Sequence, residues 1–286
     1  MFFLKKVNAF VLGLAVLLAF GCGGDEEPVP ENTPGNNISQ TGCRPVTSKH
    51  HAVYGEEDRE YFYDAAGQVE KVSMAKSSKP SQLLLISYSA TGKVTWIRRY
   101  NLPAKTLFGK SHFLYNADSL VNKEVLYNAA TPGDSTTFMP VSEINYEYDA
   151  AKRLIKFSQS PYQSTSVYGY TTFSYGANNT LTEEEFAGSP LMIGWRNEIQ
   201  YLSNGKAPGN KLAYFNLPPR ATTSDEFRFG LLPVTIQSTQ FFMGAPASQK
   251  TFSYSYVYNT EAYPTEQIMS FPNQQPLTNY WTYNCQ

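Results

Sequence analysis

The chain has 286 residues, a formal net charge of −1, 16 % charged residues and 15 % aromatic residues. A balance this close to neutral, with no basic face, excludes a nucleic-acid partner held by phosphate contacts. Outside the first twenty residues no helical period of useful length is present, which excludes an α-rich fold.

The first segment reads as targeting rather than fold. Lys5 and Lys6 form a positive region, and Val7 to Phe20 form an apolar run too short to span a bilayer. Leu18-Ala19-Phe20-Gly21-Cys22 looks like a bacterial lipoprotein processing box, which makes 1–21 a signal peptide and Cys22 the lipid-bearing N-terminus. The acidic run Asp25-Glu26-Glu27 resembles the export tag of surface lipoproteins in some Gram-negative bacteria. Residues 22–42 are rich in Pro, Asn, Thr and Gly and read as a flexible tether, with an r.m.s. reach of about 25 Å. The expected address is the outer membrane, lipid-anchored and exposed at the cell surface.

From Cys43 to Gln286 one unit recurs. A pair of residues at i and i+2, mostly aromatic, appears as Tyr61/Tyr63, Ile86/Tyr88, Phe113/Tyr115, Tyr146/Tyr148, Phe173/Tyr175, Ile199/Tyr201 and Tyr256/Tyr258. In a strand such a pair points to one face. Asp64, Ser89, Asn116, Asp149 and Gly176 follow as turn formers. Four residues after each Tyr stand Gly67, Gly92, Ser119, Lys152, Asn179, Gly205 and Ala262, where a left-handed residue would close a short hairpin. Val69, Val94, Val121, Leu154 and Leu181 sit two places later, out of phase with Val72, Ile97 and Phe157. That phase change predicts a β-bulge. Each period fits two strands, so roughly 14 to 16 strands are expected, with a diverged copy around Phe227-Arg228-Phe229. The predicted fold class is all-β: an antiparallel meander of repeated hairpins, curved into a barrel-like or half-barrel body with an aromatic interior. Charges scattered through the strands, as at Arg98-Arg99 and Glu183-Glu184-Glu185, argue against a lipid-facing band.

The Tyr-x-Tyr-Asp-Ala-Ala pattern resembles the tyrosine–aspartate repeats of bacterial cell-surface and toxin-shell proteins. The stretches Tyr254 to Thr265 and Phe229 to Thr235 resemble an uncharacterised Gram-negative surface lipoprotein domain family with a porin-like β-meander fold. The resemblance covers about 43–286. It implies a curved or closed meander and a surface address, and it brings no catalytic residues.

Chemistry is sparse. His50 and His51 stand beside Glu56, Glu57 and Asp58, but adjacent strand residues face opposite ways, which suits one metal ion poorly. Ser73 to Lys76 and Ser203 to Lys206 match a Ser-x-x-Lys spacing without the helix it needs. Asp118-Ser119-Leu120 and Asp134-Ser135-Thr136 resemble short O-glycan acceptor sites. No catalytic residue, metal or cofactor is assigned. Eight residues after the Tyr stand Lys71, Lys123, Lys156, Glu183 and Glu266, a solvated column in which the second copy has Trp96. Trp96 is therefore the candidate binding residue, either exposed as a platform or folded over its neighbour strand. Trp195 and Trp281 are assigned to the core. With Cys22 lipidated, Cys43 and Cys285 remain in an oxidising compartment and are expected to be bridged, the alternative being two free buried thiols. The expected function is a non-enzymatic, lipid-anchored binding module for a glycan, peptide or protein partner. A structural envelope scaffold and a hydrolase of a surface polymer are the alternatives.

Overall fold

The computed structural model describes residues 43–52, 55–77, 79–130, 136–188, 190–202, 214, 216–218 and 231–285. Cys22, the tether, Gly205 and the copy around Phe227 lie outside these described residues. Sixteen strands follow in order. They are β1 (Cys43–Ala52), β2 (Gly55–Tyr63), β3 (Val69–Lys76), β4 (Lys79–Tyr88), β5 (Val94–Asn101) and β6 (Thr106–Tyr115). Then come β7 (Val121–Ala129), β8 (Phe138–Tyr148), β9 (Leu154–Pro161), β10 (Gly169–Gly176) and β11 (Thr180–Ala187). The last are β12 (Met192–Tyr201), β13 (Pro233–Phe242), β14 (Ala245–Tyr258), β15 (Pro264–Ser270) and β16 (Leu277–Cys285). Each strand pairs antiparallel with the next, and β1 pairs with β16, so the meander is a closed barrel.

The repeat explains the hairpins. In the turn after β8, the Asp149 N–H donates to the Arg153 carbonyl, and the Asp149 Oδ1 accepts from the Arg153 N–H at 2.9 Å. Asp64, Asn116 and Asn259 make the same pair of bonds in their own turns. The fourth residue is left-handed throughout, at Gly67, Gly92, Ser119, Lys152, Asn179 and Ala262. Beyond the turn the register shifts by one: Tyr148 faces Leu154, and Glu147 faces Lys156, which leaves Ile155 as the bulge residue. The same shift occurs opposite Tyr63, Tyr88, Tyr115 and Tyr258. It lets Val69 and Val72, or Leu154 and Phe157, share the inner face, as their spacing predicts.

A second regularity links the copies. The repeat tyrosines from Tyr63 to Tyr175 reach back to the preceding odd strand and donate their hydroxyls to a backbone carbonyl. Tyr88 bonds Val69, Tyr115 bonds Val94 and Tyr148 bonds Val121, each at 2.8 Å, and Tyr175 bonds Leu154 at 2.9 Å. Tyr63 to Pro45, Tyr256 to Pro233 and Tyr283 to Pro264 continue the girdle into the strands where the barrel closes. Each of these carbonyls belongs to a residue that flanks a register shift.

The inner face of β2 to β11 holds the core: Tyr61, Met74, Leu84, Ile97, Phe113, Ile144, Phe157 and Leu181 among others. The repeat tyrosines themselves are half-buried against that cluster rather than fully enclosed; Tyr61, Ile86, Phe113, Tyr146 and Phe173, two residues earlier, are buried. Polar groups are also enclosed. Glu57 pairs with Arg59 and Lys76 on the inner face. Glu124 takes the place that Val72, Ile97 and Phe157 fill in other copies. It is 1 % exposed, and its Oε2 accepts from the Tyr146 hydroxyl at 3.1 Å. The outer wall, in contrast, carries ion pairs such as Lys123–Glu143, Lys156–Glu147 and Arg196–Glu184. Cys43 and Cys285 face each other in the first and last strands and form a disulfide.

Candidate functional site at the tyrosine mouth

Even-numbered strands end at the repeat turns, so these turns and the disulfide lie at one end of the barrel. A cavity of about 600 Å³ opens there. Its wall is built by the repeat: Tyr115, Tyr148, Tyr175 and Tyr201 come from the ends of β6, β8, β10 and β12, and Lys93 and Arg153 from the residues that follow the left-handed position. Leu217 and Leu231, from the long connection between β12 and β13, complete the lining. Leu217 and Tyr214 of this connection are buried in the core cluster.

The cations sit against the rings. The Lys93 amine lies 5.1 Å from the Tyr115 ring centroid, and the Arg153 guanidinium 4.5 Å from that of Tyr175. Arg153 is committed to Asp149, at 2.8 Å and 2.7 Å. The Arg153 backbone N–H and then its side chain hold the Asp149 carboxyl below the usual carboxylate range. Lys152 pairs with Asp118 at 2.9 Å. Lys93 has no carboxylate partner among the described residues. Burial pushes the Tyr115 and Tyr175 phenols up to about 12 and raises Tyr148 as well. Their hydroxyls are spent on backbone carbonyls, so the tyrosines present ring faces and no nucleophile. The arrangement can stack an apolar body and attract an anionic group.

The residues singled out in the sequence fall elsewhere. Trp96 points outward, as its column requires, but it is half-buried: its ring stacks on His112 at 4.2 Å, near Tyr127, with the Lys110 amine 5.6 Å away. It is folded over its neighbour strand. Burial lowers the His112 pKa. Trp281 is buried, against the edge of His50. Trp195 is not core: it is 43 % exposed. Glu183 is not solvated either. The β10–β11 hairpin has no bulge, so Glu183 keeps the phase of Leu181, faces inward and accepts from the Asn197 amide at 3.1 Å. His50 and His51 do diverge, His50 bonding Ser48 inside and His51 lying 3.5 Å from Glu56. Asp118 is in an exposed turn, and Asp134 lies outside the described residues. The cavity residues Lys93 and Arg153 escaped sequence reading, although both occupy the fifth position after a repeat Tyr.

A porin-like protein from Bacteroides uniformis superposes with a TM-score of 0.53 at 10 % identity, over 86 % of this chain and 96 % of that one. The fold is porin-like. A second porin-like protein, from Bacteroides vulgatus, gives a TM-score of 0.39 at 10 % identity, over 86 % of this chain and 99 % of that one. The Photorhabdus luminescens Tc holotoxin pore gives 0.22 at 10 % identity, over 80 % of this chain and 15 % of that one. No protein-family profile and no curated protein matches the chain. At such identities the likeness concerns fold alone. The inner face of β2 to β11 is mainly aromatic and aliphatic, and the outer face carries ion pairs. A lipid-embedded barrel places the apolar band outside.

Proposed function

We propose that this chain is a non-enzymatic, lipid-anchored envelope protein that binds a partner molecule at the tyrosine mouth of its barrel. The cavity of about 600 Å³ between the tyrosine rings and Lys93 carries the reading. Its volume is in the range that encloses a small ligand or the end of a polymer. Lys93, beside ring faces and with no carboxylate partner among the described residues, favours a ligand that joins an apolar face to a carboxylate, such as an acidic glycan unit or a peptide C-terminus. The ion pairs on the outer wall support a barrel that stands in water on its tether, and Cys22 supplies the anchor. Several acyl chains on Cys22 give stable attachment where one gives marginal binding.

Two experiments test this. Arrays of acidic glycans and peptides are probed with the detergent-purified chain and with its Lys93→Glu variant. Binding to an anionic array member that falls about tenfold in the variant, a loss of 1.4 kcal/mol, is the expected result; unchanged binding refutes the site. Cys22→Ala should move the protein from the membrane fraction to the soluble fraction. Retention at the wild-type level refutes the anchor.

A further inference from the structure

The opposite mouth of the barrel is different. Its hairpins, between β9 and β10, β11 and β12, and β13 and β14, stand next to one another along the sheet, roughly 10 Å apart at two strand spacings. They carry half of the large apolar side chains that are exposed among the described residues. Tyr162, Val167 and Tyr168 come from the first, Leu191 and Met192 from the second, Phe242 and Met243 from the third; Tyr168 is 57 % exposed, Phe242 68 % and Met243 78 %. Met139 and Val141 at the start of β8 extend the arc. The sequence of this rim carries no charge: none occurs in 157–182, in 186–195 or in 231–249.

Just inside this rim the wall is polar. Leu181 of β11 and Ile199 of β12 pack in the core and pair with one another. Moving along the two strands by twos keeps to that inner face. Glu183 pairs with Asn197, and Glu185 with Trp195. On β13 the partners of Asn197 and Trp195 are Ser238 and Gln240, and on β14 these face Lys250 and Ser248. Trp195 therefore faces the lumen while 43 % exposed. Its neighbours by register on this face carry amides, hydroxyls and two carboxylates, with Lys250 on the same face.

We infer that this mouth binds a neutral oligosaccharide, with Trp195 as the stacking platform and Asn197, Gln240 and Glu185 as hydrogen-bonding partners of its hydroxyls. A sugar ring has an apolar face for the indole and a fringe of hydroxyls that both donate and accept. Amides offer both roles, and carboxylates accept. An anionic ligand would meet Glu183 and Glu185. A lipid surface would call for Lys or Arg among the apolar rim residues, and the rim has none. The inference is independent of the tyrosine mouth and of the anchor.

The test titrates the detergent-purified full chain with cello-, manno- and xylo-hexaose, reading tryptophan fluorescence and calorimetry. Saturable binding of at least one of them is expected, weakened about tenfold in Trp195→Ala. The melting temperature should stay within about 2 °C, because an exposed side chain supports little of the fold. Lys93→Glu should leave this binding unchanged, which separates it from the tyrosine mouth. No binding at millimolar sugar, or binding indifferent to Trp195→Ala, overturns the inference. So does neutral-liposome binding by the full chain with its lipid cysteine replaced (Cys22→Ala) that is lost in Phe242→Ser/Met243→Ser, since it assigns the rim to lipid.

Discussion

Ala262 holds a φ of +62° in the position that Gly67 and Gly92 fill with glycine. A left-handed conformation costs an L-residue about 1–2 kcal/mol, and glycine gives back part of that relief as unfolded-state entropy. Ala262→Gly is therefore expected to stabilise the protein by about 0.5–1 kcal/mol, read from urea unfolding. Two buried carboxylates make opposite demands on pH. Burial works against ionised Glu57, but Arg59 and Lys76 outweigh it and its pKa is lowered. Glu57 thus contributes stability above its unfolded pKa, and that stability is lost as pH falls through the folded value. Burial raises the Glu124 pKa, against the pull of Ser111, Arg99 and Tyr146. Its contribution is complete below the unfolded value and is lost as pH rises through the folded one. Glu124→Gln should therefore gain stability relative to wild type at pH 8 and little at pH 4. Parallel denaturation series at the two pH values check the sign; a larger gain at pH 4 would show that Glu124 is ionised and well paired in the fold.

At the scale of the element, the hairpin is a Tyr pair, a capped turn and a bulge, and most of this was legible. The turn residues and the phase change from Val69 to Val72 are local signals, and local signals survive in one sequence. The exception is instructive. The β10–β11 hairpin dispenses with the bulge, and the column reading then assigns Glu183 to solvent when it faces inward. Sequence also gave no means to place Trp195, because no other copy has a Trp to compare with it, and β12 to β14 are exposed on faces that β2 to β11 bury. Lys93 and Arg153 form a column that the repeat makes visible, but turn residues read as solvated. The bulge makes a sharp prediction. Deleting Ile155 returns Phe157 to the outer face, so every later residue of β9 changes sides. Loss of cooperative unfolding is expected for the deletion, while Ile155→Ala keeps the phase and should retain a cooperative transition. A deletion variant as stable as the Ala variant would mean that the bulge does not set the phase.

For the whole molecule, the question is what holds sixteen strands in a closed ring. A 16-strand barrel is wider than side chains alone fill, and here the core spans β2 to β11 while the β12–β13 connection packs Tyr214 and Leu217 into the tyrosine end. Closure itself depends on β1 meeting β16, a contact between the two extremes of the meander. No local signal encodes such a contact; the two cysteines were the one mark of it in the sequence. Three bonding systems cross there: the β1–β16 ladder, the side-chain bonds of Thr47 with Thr282 and of the His51 N–H to Asn279 Oδ1, and the disulfide at a sequence separation of 242 residues. The disulfide acts mainly on the unfolded chain. Closing a loop of that length contributes up to about 5 kcal/mol in the chain-entropy model. That compares with about 5–15 kcal/mol for the net stability of a typical domain. The ladder and these side-chain bonds do not depend on it, so the reduced barrel should stay closed and become far easier to unfold. Cys43→Ser/Cys285→Ser is expected to keep the native circular-dichroism spectrum while its denaturant midpoint falls steeply. Non-reducing peptide mapping of the wild-type protein should return the Cys43 and Cys285 peptides joined. A free Cys43 peptide, or an unchanged midpoint in the double variant, would leave closure to the ladder and the Thr47–Thr282 and His51–Asn279 bonds alone.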